Sequence, residues 1–369
     1  MPTMTAARLH EIGGKFQLDQ VPLPQPGPHD VVVKVATCGV IPNLVNVTTH
    51  FPEWYPFLPL PELPAIFGLD AAGVVSEVGS AVHTFKPGDR VYVNPGLGCG
   101  ECRHCRQGDT PRCDAYTFMG YFGFGPGSKD VFKQYPYAGY GQYMKAPASN
   151  LVRLPASVSF EHAARLGYLG TSYGGIKKTR LKPGETMLIL GASGTLGVGA
   201  VLLALAFGAE KILVAARGAE ALARLHALNP KRIVPIPVGS PETLRQQILD
   251  AAPGGVDAML DTLGAKSPAA LSVAAMNAMA KGGRIVQIGG VAGPIPIDPH
   301  PFMCAQLQYI GSLWFTTEEG QELMRLMDAG LVDLSLLEAH PYPLEKLNEA
   351  LADIQSHASG FKNFYIQHQ

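Results

Sequence analysis

With 369 residues the chain is long enough for two domains, each with its own core. Apolar residues make up 47% and charged residues only 16%, so much of the chain must be buried, while 29 basic against 30 acidic residues leave no global field to attract nucleic acid or an anionic membrane. That balance points to a small-molecule partner.

The N-terminus, MPTMTAARLHEIGGKF, has no apolar core behind a basic start and does not read as a secretory signal, so the cytoplasm is the expected compartment. From Ala6 to Leu154 the pattern is of short strands and tight turns: Val31 to Val35, Gly73 to Gly79, and Lys86-Pro87-Gly88-Asp89-Arg90 feeding Val91-Tyr92-Val93. Prolines crowd Val21 to Pro64, which predicts rigid, irregular loops there.

Within this β-rich part, Cys99, Cys102, Cys105 and Cys113 stand as Cys-x2-Cys-x2-Cys-x7-Cys. Six cysteines in a chain this size do not suggest a disulfide scaffold, and four thiolates this close can wrap one tetrahedral zinc ion without leaving a position open for water. An iron–sulfur cluster is the competing reading, but its ferredoxin run has a shorter last gap and a proline after the fourth cysteine, where Asp114 follows here. One structural zinc is therefore expected. The next stretch, AYTFMGYFGFGPGSKDVFKQYPYAGYGQY, is rich in rings, and Tyr116, Phe118, Tyr121, Phe122 and Phe124 either line a substrate pocket or pack a satellite core.

From Glu185 to Arg217 the chain reads as strand, glycine turn, helix and second strand. Thr186 to Leu190 is the first strand, Lys211 to Ala215 the second, and between them lies Ala192-x-Gly194-x-x-Gly197 with Gly191 just ahead. This is a dinucleotide-binding fingerprint with alanine in the first glycine position, which predicts cofactor contacts from Gly191, Ala192, Gly194, Thr195, Leu196 and Gly197. Thr186 to Ala209 carries no charge and is long enough to span a bilayer, but five glycines inside it favour a buried strand and helix. Further on, Val256 to Leu263, the helix Ala270 to Ala280 and the strand Ile285 to Ile288 continue the β/α alternation of a doubly wound parallel sheet. Amphipathic helices at Glu318 to Met327 and Leu344 to Ile354 return the chain toward the first domain.

Together GLDAAGVVSEVGSAVHTFKPGDRV, the four-cysteine lobe, GASGTLG, GGVDAMLDTLG, GGRIVQIGG and GFKNFYIQ resemble the medium-chain dehydrogenase/reductase superfamily of zinc alcohol dehydrogenases and quinone oxidoreductases. The resemblance implies an α/β chain: a GroES-like catalytic domain over residues 1–171 and 316–369, with a structural-zinc lobe at 96–115, and a Rossmann cofactor domain over 172–315. It also implies cofactor contacts from Ser172, Ile288 and Lys362, and a homodimer or homotetramer joined through the strand Tyr309 to Phe315.

At the reacting centre the sequence departs from the family. The three catalytic-zinc positions fall on Ile41, Leu69 and Tyr168, and the proton-relay positions on Asn43 and Asn46. Isoleucine and leucine cannot ligate a metal, so the expectation is hydride transfer without a catalytic zinc, with Tyr168 as the first candidate to stabilise charge on oxygen and Asn43 and His50 as further candidates. Cys38 lies three residues before Ile41 and reads as a buried small hydrophobe. Asp70 reads as a buried partner for a cation. At the end of the second strand Ala216 replaces the acid that binds a ribose 2′-hydroxyl and Arg217 follows, which predicts NADP(H) over NAD(H). The reading is an NADP(H)-dependent oxidoreductase acting on a carbonyl, alcohol, quinone or enone. A zinc alcohol dehydrogenase with atypical ligands and a cofactor-binding protein without turnover are the other two classes.

Overall fold

The computed structural model describes residues 2–357 and 359–368. The strand Asp30–Gly39, DVVVKVATCG, is the spine of the β-rich part. Its apolar run is buried along most of its length, and it pairs with Ala71–Val78, Tyr143–Pro147 and Lys362–Gln367 within a seven-stranded sheet. At the register shift opposite Val35, a Cβ on Gly73 would lie 2.0 Å from the Lys34 carbonyl oxygen, so only glycine lets the two strands close there. Because Lys362–Gln367 runs antiparallel to Asp30–Gly39 and parallel to Glu338–Tyr342, the end of the chain does return to the first sheet.

Six parallel strands form the second large sheet, in the order Ile233–Pro237, Lys211–Ala216, Thr186–Leu190, Val256–Asp261, Met279–Gln287 and Gln308–Gly311. Met187 and Ile189 pack into one core while Leu188 and Leu190 pack into another, which explains why this strand is apolar at every position. The chain builds outward from Thr186–Leu190 and then returns to its other side at Val256–Asp261. Their carboxyl ends therefore frame the switch-point crevice where dinucleotides bind in such sheets. This is the α/β architecture that the motifs imply. Among the described residues no helix is long and apolar enough to cross a membrane.

Three local expectations change. The helix expected at Ala270 to Ala280 is Ala269–Met276, because the Asn277 N–H closes on Val273 and Met279 already belongs to the next strand. The strand expected at Tyr309 to Phe315 is only Gln308–Gly311: Trp314 adopts a left-handed conformation (φ 60°) and sends its indole N–H to Asn94 Oδ1 at 2.9 Å, satisfying a donor that would otherwise be buried unpaired. The junction expected between 171 and 172 lies inside the continuous helix Leu166–Thr179. The aromatic stretch resolves as core: Tyr116, Phe118, Tyr121 and Phe122 are buried, and Phe118 meets Phe122, Phe124 and Trp314 with ring centroids 4.6–5.6 Å apart.

Candidate active site

The fingerprint turn follows directly from the strand Thr186–Leu190. The N–H groups of Gly191 and Ala192 both donate to the Ala215 carbonyl at 3.0 Å, and Gly191 takes φ 86°, which bends the chain sharply at the sheet edge. A Cβ on Gly197 would meet the Gly191 carbonyl oxygen at 2.3 Å, so this glycine lets the helix Thr195–Ala206 lie against the turn. Gly194 caps that helix without any side-chain bond, leaving the first-turn N–H groups free for an anion. Gly194 is exposed and Thr195 and Leu196 are half-buried, whereas Ala192 and Gly197 are buried and serve the packing of the turn. Ser172 is also buried, its hydroxyl donating to the Leu196 carbonyl at 2.9 Å, so it braces the turn from beneath.

Beside this turn a narrow cleft gathers Asp70, Tyr168, Thr195 and Lys362, which come from four distant segments. The half-buried Tyr168 and the buried Arg165 sit three residues apart at the start of the helix Leu166–Thr179. Arg165 is the residue that reading the sequence missed. Its guanidinium donates to the carbonyls of Lys362 (2.9 Å), Gly360 (2.8 Å) and Thr195 (3.2 Å) and lies 5.6 Å from the centroid of the Tyr168 ring. Burial lowers the Arg165 pKa to about 10, with Tyr168 and Asp70 opposing, so it remains charged at neutral pH. The available signal was a single arginine within the apolar run AARLGYLG.

Asp70 is buried against Gly167, where even one added methyl would clash with the carboxylate. Burial lifts its pKa to about 7, while a 2.8 Å hydrogen bond from the Tyr92 hydroxyl, the charge of Arg165 and the Gly167 N–H pull it back. The Arg165 charge thus acts on Asp70 without a direct ion pair, and burial outweighs it. Burial pushes the Tyr168 phenol well above its usual range, so it stays a proton-bearing donor.

Asn43 and His50 do not line this cleft. Asn43 is exposed, accepts from the Asn46 amide at 2.9 Å and interacts with the Tyr121 hydroxyl, and His50 stacks on Trp54 at 4.6 Å. Ile288 is half-buried at the carboxyl end of the strand Met279–Gln287, and Arg217 projects at the surface after the buried Ala216.

At the positions matching a catalytic zinc, Ile41 and Leu69 are buried apolar side chains. Cys38 is buried too, with burial raising its thiol, which suits a small hydrophobe. Among the described residues the one metal-ligand grouping is Cys99, Cys102, Cys105 and Cys113, whose sulfur atoms all lie within 4.8 Å of one another. Backbone N–H groups of Cys99, Cys102, Cys105 and Ala115 point at three of these sulfurs at 3.3–3.5 Å, a pattern that stabilises thiolates. A Cβ on Gly98 would come within 2.8 Å of the Cys105 sulfur, so the loop must be bare there for the four to converge. The donor set fits a closed tetrahedral zinc site.

Residues 27–156 match the alcohol dehydrogenase GroES-like domain and residues 195–329 match the zinc-binding dehydrogenase domain. The alcohol dehydrogenase of Geobacillus stearothermophilus is 31% identical over 351 residues, covering 94% of each chain. The NAD-dependent alcohol dehydrogenase of Saccharolobus solfataricus is 28% identical over 356 residues, 96% of this chain and 97% of its own. The crystal structure of AibC is similar with a TM-score of 0.85 at 26% identity, covering 100% of this chain and 96% of that one.

The raised pKa of Asp70 has a testable sign. Below the unfolded carboxyl pKa both states are protonated; between about pH 4 and pH 7 only the folded state holds the proton, so this group's contribution to stability is lost as pH rises through about 7. Asp70→Asn removes the ionisation. The melting temperature of the variant relative to the parent should therefore climb from pH 5 to pH 8, whatever constant offset the amide introduces, and a difference independent of pH would show that Asp70 does not titrate there.

Proposed function

Since this chain belongs to the zinc-type alcohol dehydrogenase-like branch of the medium-chain dehydrogenase/reductase superfamily, and is thus an oxidoreductase of alcohols and carbonyls, we propose that it works with NADP(H) and without a catalytic zinc. The carrying observation is the cleft that brings Tyr168 and Asp70 beside Thr195 of the fingerprint helix while apolar Ile41 and Leu69 occupy the family's ligand positions. The donor chemistry of Tyr168 suits a ketone, aldehyde, quinone or conjugated enone, because each develops negative charge on an oxygen when a hydride arrives.

The dinucleotide, when bound, gives or takes the hydride at its nicotinamide. The first-turn N–H groups of Thr195, Leu196 and Gly197 would hold the pyrophosphate, and Lys362 would add a cation at the edge of the cleft. Tyr168 donates its phenolic proton toward the substrate oxygen. Arg165, over the face of that ring, holds it in place and favours the phenolate that forms. Asp70, close to neutrality and coupled to the same arginine, adjusts that charge with pH. Ile288, at the carboxyl end of its strand, and Ser172, which braces the turn, are assigned to the cofactor side.

For cofactor choice, Ala216 offers no carboxylate to repel a 2′-phosphate, and the exposed Arg217 can meet one with parallel charge-assisted bonds. Cofactor selectivity is where this chain is proposed to differ from its NAD-dependent relative. Cys99, Cys102, Cys105 and Cys113 are assigned one structural zinc, which suits a reducing compartment and supports the cytoplasm as its home. The edge strand Gln308–Gly311, paired on one side only, is proposed as the seam of a homodimer or homotetramer. The division of the chain into a catalytic part and residues 172–315 is kept in outline.

Elemental analysis of purified protein should find one zinc per chain, and Cys102→Ser should lose it together with thermal stability; two tightly held zinc ions would defeat the metal-free reacting centre. Tyr168→Phe keeps the ring and removes the hydroxyl. It should lower turnover on the order of 100-fold with cofactor binding intact, and unchanged turnover would reduce Tyr168 to packing. Isothermal titration should give tighter NADPH than NADH binding in the parent and a preference largely lost in Arg217→Ala. Equal parent affinities, or a preference that survives the substitution, would reassign the cofactor.

A further inference from the structure

On the β-rich part lies a second cavity of about 540 Å³ that shares no lining residue with the active-site cleft. Its size is within the roughly 300–1,000 Å³ typical of small-molecule sites. The strands Thr3–Leu9 and Phe16–Pro22 bring Arg8 and Val21 to it, the proline-rich loop brings Leu60, and the helix Ser128–Gln134 brings Lys129, Phe132 and Lys133. Val21 and Phe132 are buried, giving the cavity an apolar floor.

The charges at its mouth are uneven in availability. Arg8 is already engaged by Asp19 at 3.1 Å and by the Pro64 carbonyl at 2.7 Å. Lys129 and Lys133 stand one helical turn apart on the same face, are exposed, and take part in no ion pair among the described residues. Glu62 is the one carboxylate in the lining and is paired with neither in any ion pair among the described residues. With Arg8, Lys129 and Lys133 against one carboxylate, the lining carries an excess of positive charge beside its apolar side chains.

We propose that this cavity is a binding site for a small amphipathic anion, an aliphatic or aromatic body ending in one carboxylate. The apolar part lies on Val21, Leu60 and Phe132, and the carboxylate sits between the ammonium groups of Lys129 and Lys133.

Octanoate is a suitable probe, titrated calorimetrically into the full chain with and without saturating NADP(H). One molecule should bind per chain with the same affinity in both conditions, since the cofactor cleft is elsewhere. The Lys129→Glu/Lys133→Glu variant, altered only at exposed positions, should bind about tenfold or more weakly, the effect of losing charged hydrogen-bond partners. Lys133→Gln alone should show a smaller loss in the same direction, which keeps the test usable if the double variant is poorly folded. Octyltrimethylammonium, equally apolar but cationic, should not bind. Absence of saturable octanoate binding, indifference to both sets of lysine substitutions, equal binding of the cation, or displacement of octanoate by the cofactor would each overturn the proposal.

Discussion

Arg165 holds the cleft together. A guanidinium taken out of water must find partners for its donors, and this one finds three backbone carbonyls: Thr195 at the start of the fingerprint helix, and Gly360 and Lys362 at the start of the last strand. Those carbonyls belong to the parallel-sheet part and to the β-rich part of the fold, so one side chain ties both to the helix Leu166–Thr179. The contact is reinforced where Gly360 donates to the Ser193 carbonyl at 3.0 Å. The Arg165 bonds leave from two guanidinium nitrogens, Nη1 to Lys362 and Nη2 to Gly360 and Thr195, a spread that the single nitrogen of a lysine does not offer.

Asp70 depends on the same arrangement. A carboxyl group buried beside Cys38, Tyr92 and Gly167 would be costly if ionised and unpartnered, and its pKa near neutrality is the balance between that burial and the Tyr92 hydroxyl, the Arg165 charge and the Gly167 N–H. Here the positive charge lies on a side chain at the side of the cleft, and apolar residues fill the positions matching a catalytic zinc.

The cysteine lobe and the aromatic stretch are two kinds of local core. The lobe has little apolar side chain to bury, and its shape comes from glycines and from N–H groups directed at sulfur. The neighbouring stretch is the reverse: Tyr116, Phe118, Tyr121 and Phe122 close on one another and on Trp314, joining the loop to the segment that leaves the parallel sheet.

The sequence by itself determined the parallel sheet, the fingerprint turn and the four-cysteine cluster, because each is written in short-range spacing: apolar runs, glycines where a Cβ would strike backbone, and thiols close enough to share an ion. It also marked Tyr168, Ile41 and Leu69 as departures from the family at the reacting centre. Tertiary structure alone decided which candidates meet. Asp70, Arg165, Tyr168, Thr195 and Lys362 are brought together by strand pairing and helix packing across nearly 300 positions, from 70 to 362, while Asn43 and His50 turn to local partners outside the cleft. The pKa of Asp70 likewise could not be read from its neighbours in the chain, since it arises from burial and from a tyrosine, an arginine and a glycine N–H contributed by other segments.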